Sequence, residues 1–167
     1  MAYQKLSNEQ IEKFLGAHLP HRLTLLRTFR ERKSCVDVQG RGDIYRCLKD
    51  SGLIAIRLLL KAMGLQGCQN GDGAYLLIKG ASRAPDDVTI DQLGGELVDP
   101  SSIPLDDQRL LAGIYCRANK ELAHLTLVYN DEFNAPEKIL RGIDLVEILI
   151  QKHLYAKIGR ELPPLSV

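Results

Sequence analysis

Apolar residues recur every three to four positions through most of this chain, a spacing that lines one side of a helix. Ile11, Phe14, Leu15 and Leu19 keep it after Ser7-Asn8-Glu9-Gln10, where Ser7 and Gln10 have the spacing of a capping box. Pro20 is expected to end or kink this first helix, because it lacks an N–H and its ring crowds the preceding turn. Leu23, Leu26 and Phe29 carry the spacing through a second segment, about 21–33. Gly40 and Gly42 punctuate a loop, and Asp43 is then expected to cap a long helix to about Met63, with Ile44, Leu48, Ala55, Leu59 and Ala62 along one side. Gly64 is its expected stop. Gly52 weakens that helix by about 1 kcal/mol relative to alanine, tolerable where another helix packs closely.

Two further helices follow from the same pattern. Leu111, Ile114, Ala118, Leu122 and Leu125 mark one over about 105–125. Asn134-Ala135-Pro136-Glu137 starts the other, with Asn134 as N-cap, and Ile139, Leu140, Ile143, Val146 and Ile150 carry it toward Gly159. Between the two groups the period fails. Residues 69–73 read as a glycine-rich turn without the lysine of a phosphate-binding loop, and the apolar run Ala74 to Ile78 reads as a short strand or one helical turn. A short helix is expected from Thr89 to Leu97. The fold class is all-α: a bundle of four to six helices with an irregular central loop region, in one domain over 1–167.

At 167 residues and 45% hydrophobic content the chain can bury one substantial core. No apolar run approaches a membrane span, and Met1-Ala2-Tyr3-Gln4-Lys5 lacks a signal-peptide apolar region, so a soluble cytoplasmic protein with no membrane partner is expected. Cys35, Cys47, Cys68 and Cys116 form no C-x-x-C pair, which favours reduced thiols over disulfides or zinc. His18 and His21 are three apart, but Pro20 lies between them and no third ligand is evident; neither metal nor cofactor is expected. His153 reads as a side chain at the edge of the core. No serine-nucleophile elbow or H-E-x-x-H motif is present.

A formal net charge of +1 argues against a nucleic-acid binder held by bulk charge, though not against a local patch. The best such patch is Arg22, Arg27, Arg30, Arg32 and Lys33, set against one acid, Glu31. A solvated face is the favoured reading; an RNA-contact surface is the other. Asp86, Asp87, Asp91, Glu96, Asp99, Asp106 and Asp107 make an acidic stretch with no Lys or Arg among them. Their spacing fits no EF-hand or zinc site, so they are expected to meet the basic helix of this chain or of a partner.

The strongest functional signal is Arg117 and His124 on the predicted 105–125 helix. Two helical turns bring residues seven apart to within about 20° of each other, and Glu121 lies between them on that face. Both are expected to flank the apolar stripe. A permanently charged guanidinium beside an imidazole that titrates near neutrality suits a phosphate in transfer. The same residues also fit a plain structural role, with His124 complementing the helix dipole and Arg117 pairing with Glu121.

Arg117-x6-His124, late in a helical chain and ahead of one last long helix, resembles the HEPN superfamily (higher-eukaryote and prokaryote nucleotide-binding domains). The resemblance implies a bundle that forms a homodimer and brings two Arg/His pairs into one cleft. It implies metal-independent RNA cleavage, with His124 as general acid/base for attack of a ribose 2′-hydroxyl and Arg117 stabilising phosphoryl charge. Asn119 and Glu121 would support the pair. Other members are inactive binding or dimerisation modules. Ala118 stands where active members often carry a polar residue, and it favours that version: one half of a toxin–antitoxin or similar defence pair with an antitoxin-like protein partner.

Overall fold

The computed structural model describes residues 5–37, 42–80, 87–119, 133 and 135–164. Ser7 opens the first helix with the box its sequence spells: Gln10 N donates to Ser7 Oγ at 3.2 Å, and Ser7 N donates to Gln10 Oε1 at 2.8 Å. Helix α1 (Asn8–Lys13) passes into a π-helical turn (Phe14–His18) and then into α2 (Leu19–Asp37). Pro20 therefore does not end the helical path. The wide turn just before it, in which Leu19 N–H reaches Phe14 O, absorbs both the missing N–H and the bulk of the ring.

Helix α3 (Gly42–Ala62) packs along α2. A Cβ on Gly52 would lie 3.5 Å from Phe29 Cβ, so the glycine sits where these two helices approach. Gly64, at φ +79°, turns the chain out of α3 in the left-handed conformation that glycine tolerates.

Strands β1 (Leu65–Gln69) and β2 (Tyr75–Lys79) then form an antiparallel hairpin, with Gly67 opposite Leu77. The chain is mostly helical, as the all-α expectation has it, with the addition of a small two-stranded sheet. Asn70 Oδ1 accepts from Asp72 N at 3.2 Å and from Ala74 N at 2.8 Å, closing the expected turn. That closure sets the run around Tyr75 to Ile78 beside residues 65–69, where pairing satisfies backbone groups that one isolated helical turn would leave open.

The expected Thr89–Leu97 helix is a single 3-10 turn, Ile90–Leu93, because Gly94 takes φ +92° and leaves the helical path. Helix α4 (Leu105–Arg117) follows, then α5 (Pro136–Ile150), which passes into a π-helical turn (Gln151–Tyr155) before Gly159. Ala135, not Asn134, is the N-cap of α5: the residue before a proline is pushed out of the helical region, and Ala135 is extended at φ −62°, ψ 128°. Asn134 lies outside the described residues. One continuous apolar cluster joins Leu26 and Phe29 of α2, Ile56 and Leu60 of α3, Ile114 of α4 and Val146 of α5. Among the described residues, no helix is long and apolar enough to cross a membrane.

The charged segments pair differently from expectation. Arg30 of α2 reaches Asp144 and Glu147 of α5, each at 2.7 Å, and Arg27 also pairs with Glu147. The acidic stretch meets cations spread over other elements: Asp87 with Lys61 at 2.8 Å, Glu96 with Lys157 at 2.9 Å, Asp107 with Arg141 at 3.2 Å and Asp99 with Lys79 at 3.5 Å. These partners sit on α3, β2, α5 and the segment after α5, away from the basic face of α2.

Candidate functional site

Residues 111–118 of the α4 segment are all buried, because α3, α5 and both strands pack around this helix. Arg117 is thus 5% exposed, and the expectation that it flanks the core is corrected: its side chain is buried with the rest of this stretch. Asn119 is half-buried. Glu121 and His124 lie outside the described residues, so the Arg117 and His124 pairing does too. Of the basic row, Arg27 and Arg30 are engaged with α5, Arg22 is half-buried and Arg32 is exposed. The Lys33 side chain lies outside the described residues. His18 is stacked on Phe14 with ring centroids 4.8 Å apart, and among the described residues no three of His, Cys, Asp and Glu gather as metal ligands would.

A polar cleft of about 460 Å³ opens between α3, β1 and α4. Arg57 and Lys61 line it from α3, residues 66–69 from β1, Tyr115 and Cys116 from α4, and Asn119 from just past its end. Helical spacing explains the cations: residues four apart share one side of a helix, and the buried side of α3 holds Leu53, Ile56 and Leu60 instead. Glycine explains the wall. A Cβ on Gly67 would lie 2.6 Å from the Ala112 carbonyl oxygen and 2.8 Å from Tyr115 Cβ, so only glycine lets β1 lie this close to α4.

The electrostatics of the cleft are one-sided. Among the described residues its lining holds two cations and three side-chain amides and no carboxylate. The Arg57 guanidinium lies 5.8 Å from the centroid of the Tyr115 ring, a cation–π distance that holds it over the cleft. Its Nε is buried and finds no hydrogen-bond partner among the described residues. A buried donor left this way costs about 1–3 kcal/mol, which an acceptor on a ligand would recover. Lys61 Nζ donates to Asp87 Oδ1 at 3.0 Å and keeps further N–H groups for a second acceptor. Among the described residues the lining offers cations and amide donors suited to an anion, and no histidine or carboxylate.

Of the sequence-derived site residues, the cleft includes Asn119. Arg57, Lys61 and Tyr115 were not singled out, although the Arg57/Lys61 pair off the apolar stripe of a long helix is a readable signal. Compared with protein-family models, with curated proteins and with solved structures, the chain matches none of them.

Proposed function

We propose that this chain is a binding module whose cleft between α3, β1 and α4 takes an anionic group of a partner. The observation that carries the reading is Arg57: a guanidinium set over Tyr115, with a buried Nε that has no acceptor among the described residues, in a cleft whose described lining holds a second cation, Lys61, and no carboxylate. The reading agrees with the non-catalytic version of the HEPN resemblance, as does the burial of Arg117, which sits at 5% exposure where a phosphate-stabilising guanidinium needs access. Titrating the isotopically labelled protein with inorganic pyrophosphate tests it. Resonances of residues 66–69 and of Arg57 Nε are expected to move together, and Arg57→Gln is expected to abolish the response; no movement there would remove the reading.

The second reading is a metal-independent ribonuclease acting through Arg117 and His124, favoured by the placement of Asn119, two residues beyond Arg117, in the cleft wall. RNA cleavage with EDTA present, lost in both Arg117→Ala and His124→Ala while the fold persists, would support it. The resemblance also implies a homodimer, which sedimentation velocity measures directly.

A further inference from the structure

Gln66, Gly67, Cys68 and Gln69 are consecutive, and all four line the cleft. A strand presents alternate residues to anything lying on its face, so four in a row place the cleft along an edge of β1. The other edge is occupied by β2, which contributes nothing to the lining.

The cross-strand bonds fix which backbone groups turn toward the cleft. Gly80 N donates to Gly64 O at 2.9 Å and Asn70 N donates to Ala74 O at 3.0 Å, one step outside each end of the ladder. Bonded and non-bonded pairs alternate along an antiparallel ladder. Counting inward from either end gives one answer: Gln66 and Cys68 direct their N–H and C=O to β2, while Leu65, Gly67 and Gln69 turn theirs away. Among the described residues, no third strand takes these groups.

We infer that the cleft receives an extended acidic peptide of a protein partner, which adds to the edge of β1 that no described strand pairs, as a third strand, and sets two carboxylates against Arg57 and Lys61. This rests on the anion-binding reading above and names its ligand. Two features select a peptide. Gly67 and Gln69 offer a donor and an acceptor each at strand spacing, and a peptide backbone answers both, whereas phosphates accept and leave the carbonyls unanswered. Side chains four apart on a helix lie about 5–6 Å from each other, and side chains two apart on an extended strand lie about 6.5–7 Å apart. Arg57 and Lys61 therefore match a Glu-x-Glu repeat on one face of the added strand.

The test uses four probes: a blocked hexapeptide of alternating Val and Glu, its Val and Lys counterpart, the Val and Glu peptide N-methylated at alternate residues, and a uridine hexanucleotide. In the free protein the amides of Gly67 and Gln69 are expected to exchange with solvent faster than those of Gln66 and Cys68. The Val and Glu peptide is expected to slow both, and N-methylation, Arg57→Gln or Lys61→Gln each to weaken its binding by about tenfold or more. Protected Gly67 and Gln69 amides before any peptide is added would overturn the inference, as would equal binding of the N-methylated or the lysine peptide. Hexanucleotide binding that depends on Arg57, with no peptide binding, would overturn the strand and leave the anionic cleft standing. No binding by any probe, pyrophosphate included, would remove both.

Discussion

Arg27 of α2 donates its Nε–H to Glu147 of α5 across 120 positions of chain. Arg30, one turn further along α2, donates to the other oxygen of the same carboxylate at 2.7 Å, so Glu147 holds two guanidinium groups at once. A second guanidinium nitrogen of Arg27 donates to the carbonyl of Pro163, tying the segment after α5 to the same point. What reads in sequence as one basic face is, over these two arginines, the joint between the second helix and the last.

Glu147→Gln is expected to destabilise the protein by about 2–3 kcal/mol in urea denaturation. The Arg27 and Glu147 side chains are 12% and 14% exposed, so removing the carboxylate charge leaves a guanidinium desolvated without compensation. Arg27→Met in the same background should restore part of the loss, because the stranded charge goes with it. Equal stability of the single variant and the unmodified protein would show that the joint contributes nothing net.

The same substitution is expected to have opposite signs at two glycines. At Gly52 an added Cβ meets Phe29 Cβ at 3.5 Å, an ordinary contact, so Gly52→Ala should be neutral or stabilise by up to about 1 kcal/mol through helix propensity. At Gly67 it meets the Ala112 carbonyl oxygen at 2.6 Å, where backbone must move, so Gly67→Ala should cost about 2 kcal/mol or more. Thermal melts of the two variants, run side by side, decide both.

The long helices and the cap at Ser7 are legible because their signals are local, whereas Asp43 lies in the first turn of α3 rather than capping it and Ala135 takes the cap of α5 expected at Asn134. Ser7 and Gln10 sit three apart, Gly64 follows the last turn of α3, and Ile139, Ile143, Val146 and Ile150 repeat on one face. The pairings were not legible. Nothing near Arg27 in sequence points to Glu147, and the acidic stretch distributes its charges over Lys61, Lys79, Arg141 and Lys157 only once the chain has wrapped. Arg117 shows the same limit from the other side. A helical wheel places it off the apolar stripe, but burial depends on how many neighbours surround α4, which no wheel records. The cleft needed β1 against α4, and so needed the hairpin that an all-α reading leaves out.

His153 should make the protein acid-sensitive in a narrow range. Both ring nitrogens are buried and find no hydrogen-bond partner among the described residues. Burial holds its pKa below the usual 6.5, the charge of Lys152 adds to this, Glu96 opposes it, and Lys157 lowers it further. The folded state therefore resists a proton that the unfolded chain accepts. Stability from this group is fully present above about pH 6.5 and is lost as pH falls below it, down to the depressed folded value, where the loss levels off. Urea midpoints at pH 7.5 and 5.5 should differ by less in His153→Phe than in the unmodified protein; an unchanged difference would place the titration elsewhere.

Tyr155 bears on the opposite end of the scale. Its ring is 3% exposed and its hydroxyl finds no hydrogen-bond partner among the described residues. Burial pushes the phenol up from 10.0 to about 12, against the opposing charges of Arg27 and Arg160. The unfolded chain gives up this proton first, so stability from the group is intact below about pH 10 and falls as pH rises from there toward about 12. Tyr155→Phe removes an unsatisfied buried hydroxyl while keeping the ring, and it is expected to hold or raise stability by up to about 1 kcal/mol at neutral pH. It should also flatten the alkaline fall. A loss of about 2 kcal/mol at pH 7 would mean that the hydroxyl is satisfied in solution, and would withdraw the alkaline prediction with it.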